Sequence, residues 1–317
     1  VSKATGGENK TTSPVLNLWF SGEYTMNLAD NNSDLPASTS FPPMKGSVWF
    51  FFLLTFAISW TIYLPGVLDA LGVLDLQLSP GLYTILNVLG GFGPSIAGIL
   101  LLYYNEGREG IKDLYHRAIR GMGMYWWVAV FLLVPTIHAS AVLLSFLTTG
   151  NFPEMVLLAQ PLLIAVYFIG GMLPISNAFR EEFGWRGYAL DRLQSRWGSA
   201  LVGSVILGVV WGLWHLPLFV FPTAQEVYSR TNILIYILNT IAITIYMTWI
   251  YNNTNRSLLS ALVLHTVINV SGSVFPFSNT EYGVYYNVIL QMIVAATIVI
   301  VFGQEKMSRV KEEAEEK

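Results

Sequence analysis

The chain has 317 residues, 53% of them hydrophobic and only 12% charged, with a mean hydropathy of +0.52. A soluble domain carries about 25% charged residues, so composition excludes that class and assigns the excess apolar surface to lipid. The absence of cysteine excludes a disulfide scaffold, a thiolate metal cluster and a cysteine nucleophile, and a net charge of −3 without a basic cluster excludes nucleic acid as a partner.

Residues 1–45 are rich in Ser, Thr, Asn and Pro, contain no long apolar run, and read as a polar, disordered extension. A bilayer core about 30 Å thick is crossed by about 20 mostly apolar residues in a helix. Eight windows free of Asp, Glu, Lys and Arg meet that length, at 46–66, 82–104, 125–147, 155–176, 198–219, 233–251, 257–275 and 285–303. They are continuously apolar, whereas the strands of a membrane barrel alternate in polarity. The expected fold is therefore all-α and polytopic, with about eight transmembrane helices in one domain over 46–303 and a charged tail over 304–317. With the N-terminus inside, 16 of the 17 Lys and Arg residues fall in cytoplasmic segments, Arg180 and Arg186 among them, and only Arg230 lies outside. That asymmetry predicts an integral protein of the cell membrane with both termini cytoplasmic.

Ionisable groups at membrane depth are expensive and are functional candidates by default. Glu181 and Glu182 follow the fourth window, with Arg186 close behind. On a helix, Glu182 and Arg186 are i and i+4 and share a face, so the arginine can neutralise Glu182 and leave Glu181 free to act. His215 lies near the end of the fifth window, 34 residues after Glu181. A full crossing would put it at the opposite face. The two meet if the helix bearing Glu181 enters the membrane, or if His215 lies deeper than its window indicates, and both alternatives stand. In the seventh window His265 and Asn269 are i and i+4 on a helix otherwise built of Leu, Val and Ile. His138, in the third, has no acidic companion and reads as a packing residue.

One free carboxylate, two histidines and a buried amide suffice to hydrolyse an acyl bond. Glu181 would take a proton from water, one histidine would orient that water, and His265 with Asn269 would donate to the oxyanion. Glu181, His215 and His265 would equally make a three-ligand zinc site, although the strong His-Glu-x-x-His signature is absent.

The order Glu181-Glu182 with Arg186, Trp211 with His215, and His265 with Asn269 resembles the CPBP family of intramembrane proteases, also called the Abi family. It takes in the type II CAAX prenyl proteases and bacteriocin-processing enzymes. The resemblance covers about residues 80–275, including Gly90-Gly91-Phe92-Gly93-Pro94, and departs where the family's usual Phe is Trp211. It implies an endopeptidase with its site inside the membrane, reached from the cytoplasmic side. Glu181 would be the base, Glu182 would be held by Arg186, His215 would assist, and His265 with Asn269 would face the oxyanion. Substrates would be peptides, among them prenylated C-terminal ones, met in a lipid surrounding. The family has been described both as metal-dependent and as glutamate-dependent without a metal, so zinc stays open. A non-catalytic scaffold or bacteriocin-immunity protein on the same fold is the alternative, and a transporter a more distant one.

Overall fold

The computed structural model describes Phe41, residues 44–224 and residues 228–308. Nearly all of the expected extension over 1–45, and the tail beyond Ser308, lie outside the described residues. Every regular element among them is helical.

The first pass is α1 (Val48–Ala70), capped by the Ser47 hydroxyl. The second is α2 (Pro80–Gly91) continued, across a bend at Phe92, by α3 (Gly93–Ile119). Gly107 interrupts α3 with a non-helical backbone (φ 66°, ψ −148°). The third pass is α4 (Met124–Thr149). The fourth differs from its window over 155–176. Only Pro161–Gly171, α5, is helical there, and its last carbonyl, Gly171 O, accepts a 2.8 Å hydrogen bond from the Thr266 hydroxyl deep in the bundle. The pass is completed by α6 (Asn177–Gly184), a π-helical stretch Trp185–Ala189 and α7 (Leu190–Trp197), which run on without a break.

That continuation carries Arg180 and Arg186, counted from the sequence with the cytoplasmic charges. Both are buried inside the bundle, 7% and 0% exposed. A hydropathy window registers contact with lipid, whereas a helix enclosed by other helices can carry charges that neighbours satisfy.

After Gly198 the chain turns back as α8 (Ala200–Trp214), started by the Ser199 cap. A short 3-10 turn, Leu216–Phe219, follows. Then come α9 (Ile233–Asn253), α10 (Leu258–Val274) and α11 (Gly283–Phe302), the first two capped by Asn232 and Ser257. Among the described residues, six helical runs are long and apolar enough to cross a membrane, and α5 and α8 are shorter apolar helices. Each of the eight windows thus holds a helix, the fourth broken and the fifth short, in a polytopic membrane protein.

Two close approaches fix the charged pass within this bundle. A Cβ on Gly98 of α3 would lie 2.8 Å from Gly184 Cα, and one on Gly184 would lie 2.2 Å from Pro94 O. Only glycine lets the two backbones touch there, as small residues do between membrane helices. The pass also forms a hairpin with α8. Glu181 lies 17 residues before Gly198 and His215 lies 17 after it. Two antiparallel helices of equal length bring their far ends level.

Candidate active site

The hairpin brings Glu181 and His215 level, with the helix bearing Glu181 packed inside the bundle. Trp211, one turn before His215 on α8, donates its indole N–H to Glu181 Oε2 at 2.6 Å. Trp185 donates to the same oxygen at 3.4 Å. Glu181 Oε1 has no partner among the described residues and Glu181 lines a cavity of about 810 Å3. His215, His265 and Asn269 line the same cavity.

Glu182 faces away from Glu181. Its Oε1 accepts from Arg186 Nη1 at 3.0 Å and from His265 Nδ1 at 2.7 Å, and both Glu182 and Arg186 are fully buried. The i, i+4 pairing read from the sequence is therefore present, although Arg186 falls in the π-helical stretch. Such stretches are frequent at functional sites. Thr244 of α9 receives a second donor of Arg186, at 3.5 Å. Glu182 also orients His265 across 83 residues of sequence, a contact that spacing alone did not reveal.

His215 Nδ1 meets Trp211 O at 2.7 Å. A carbonyl can only accept, so Nδ1 carries a proton, and in the neutral ring Nε2 keeps its lone pair. Trp211 is the hub of the site. Its ring lies 5.9 Å from that of His215 and 5.8 Å from that of His265, with the Arg186 guanidinium 4.8 Å over its face.

Two further residues join the cavity that the sequence reading had not placed there. His138 is buried on its wall with its ring 4.7 Å from Phe277. Arg180, beside Glu181, lines it as well. A cation next to the paired carboxylates, in so charge-poor a chain, was the available signal.

The zinc alternative was tested on the same residues. Among the described residues no three His, Asp or Glu side chains are gathered as a metal-binding group. An indole N–H occupies the space before Glu181 Oε2, so Glu181 could reach an ion only through Oε1, and the three side chains are not gathered as a ligand set in this arrangement.

Comparison with known proteins bears on the same stretch. Residues 163–271 match the model of a family described as type II CAAX prenyl endopeptidase Rce1-like. Every residue of the site from Glu181 to Asn269 lies inside that match. A CAAX prenyl protease 2 from Methanococcus maripaludis is 27% identical over 238 residues, which cover 70% of this chain and 82% of the relative. Over the stretch that carries its site the chain is thus similar to the type II CAAX prenyl endopeptidase family, and over most of its length to that relative, in line with the resemblance of its three motifs.

Proposed function

We propose that the chain is an intramembrane endopeptidase of the CAAX type, which hydrolyses a peptide bond near the C-terminus of a prenylated peptide with water activated by Glu181. The observation that carries this reading is the convergence of Glu181, His215, His265 and Asn269 on one cavity within the helical bundle, in a chain similar to such enzymes.

In this reading the water lies between Glu181 Oε1 and His215 Nε2. Glu181 takes one of its protons as the oxygen attacks the carbonyl carbon. His265, its Nδ1–H held by the Glu182 carboxylate, faces the developing oxyanion together with Asn269, whose amide donates to it. The proton on Glu181 then passes to the leaving amine, so acid and base are balanced within the step. Glu182, Arg186 and Trp211 position these groups. The protein would act on its substrate from within the cell membrane, its termini on the cytoplasmic side.

The test is cleavage of an S-farnesylated, internally quenched CAAX peptide by purified wild type and by Glu181→Gln, each with and without a strong chelator. Wild type is expected to cleave under the chelator, and Glu181→Gln, still monodisperse in detergent, to lose at least about 100-fold in rate. Undiminished activity in Glu181→Gln would sink the assignment of the base. Activity abolished by chelator and restored by zinc would replace it with a metal mechanism.

A further inference from the structure

Arg180 is 93% buried by its exposure of 7%, and it is the one Lys or Arg among the described residues that line the cavity. Its Nη1 donates to Asn87 O and Val88 O, each at 3.0 Å, and its Nη2 to Asn177 Oδ1. Its Nε–H is buried and has no partner among the described residues. Three of its five N–H groups are therefore used, which leaves donors on two adjacent nitrogens, Nε and Nη2.

The seat is built for the group. A Cβ on Gly91 would fall 2.4 Å from Nη1 and 2.9 Å from Cζ, so glycine at the end of α2 makes the room. Arg180 has no ion-pair partner among the described residues, and its chain neighbour Glu181 is held by indole N–H groups instead. A buried cation is costly unless it is paired. The other buried arginines, Arg117, Arg186 and Arg192, all have carboxylate partners.

We propose that Arg180 is the anchor for the free α-carboxylate of the substrate peptide, receiving it through the donors its structural contacts leave unused. Planar, paired donors on adjacent nitrogens match the two oxygens of a carboxylate. The inference rests on the peptidase reading and adds the feature by which that site would choose a chain end.

The experiment compares one S-farnesylated CAAX peptide in two forms, free acid and C-terminal amide, with wild-type protein and Arg180→Gln. Both cleavage and direct binding are measured. Wild type is expected to favour the acid by about 10- to 100-fold in kcat/KM, and Arg180→Gln to reduce that ratio to near one. Arg180→Lys keeps the charge without the paired donors, covers the case in which Arg180→Gln fails to fold, and is expected to lower the ratio several-fold.

Equal use of acid and amide by wild type overturns the proposal, as it would if the anion were a lipid phosphate. So does a ratio that persists when Arg180 is replaced, both substrates falling together as for a purely structural residue. If wild type cleaves neither form, the peptidase reading fails, and binding decides the anchor alone. Tighter binding of the acid that depends on Arg180 supports it, and equal binding overturns it.

Discussion

Trp211 holds Glu181 through its indole N–H and lies against both histidines and Arg186, so its effect on the reaction goes beyond filling space. Phenylalanine would keep most of the packing and lose the hydrogen bond. Trp211→Phe is expected to lower kcat about tenfold while KM changes little, since one hydrogen bond to a charged group is worth about 1.5 kcal/mol or more. Steady-state kinetics of the purified variant checks this, and an unchanged kcat would show that the orientation of Glu181 comes from elsewhere. The two neighbouring glutamates should separate by stability. Glu182→Gln leaves buried Arg186 without its counter-charge, a loss of about 3–5 kcal/mol. A thermal melt in detergent should then fall by on the order of 10 °C, while Glu181→Gln, which opens onto the cavity, should melt close to wild type. Side-chain pairs one helical turn apart, Glu182 with Arg186 and His265 with Asn269, were legible because helix periodicity alone puts them on one face. The bonds from Glu182 to His265 and from Trp211 to Glu181 were not, because they cross between helices whose facing depends on packing.

At the scale of elements, the decisive piece is the segment from Asn177 to Trp197, which apolar windows pass over. It carries Arg180, Glu181, Glu182, Arg186, Asp191 and Arg192, all buried against protein rather than lipid, so its composition resembles a loop although it is a helix through the bundle. The fourth window therefore captured only the 11 residues of α5. The passes around it were legible because each faces lipid and must be apolar along its length. What lets the charged helix enter is its contact with α3 at Gly184. Gly184→Ala would drive a Cβ to 2.2 Å from Pro94 O and 2.4 Å from Pro94 C, backbone atoms that cannot swing aside. The variant is expected to lose most activity and to melt well below wild type. Gly170→Ala, in α5 with nothing within 4 Å of the added methyl, serves as control and should match or slightly exceed wild-type stability. Equal melts for the two variants would show that the α3–α6 contact can relax.

On the scale of the whole molecule, the bundle has two chemically different ends. At one, Arg192 reaches Lys45 O, Arg120 reaches Asn255 O, Arg256 pairs with Asp191, and Asn252 holds Lys306 O. At the other, Arg230 bonds Ser278 O, and Ser145 near the end of α4 accepts from the Tyr282 N–H at the start of α11. Among the described residues, folding therefore gathers onto one end Lys45, Arg120, Arg192, Arg256 and Lys306 from five separate segments, and the charge rule for membrane orientation applies to that end as a unit. It should face the cytoplasm. The absence of native cysteine makes this directly measurable without background. Asn255→Cys marks the basic end and Asn151→Cys, just past α4, marks the other, both at exposed positions. In intact spheroplasts a membrane-impermeant maleimide should label Asn151→Cys and spare Asn255→Cys, and in inside-out vesicles the pattern should reverse. The opposite pattern would invert the orientation and put the end at which α7 turns into α8 outside the cell. Because Glu181 and His215 lie equally far from that turn, the same labelling fixes from which side of the membrane their depth is to be counted.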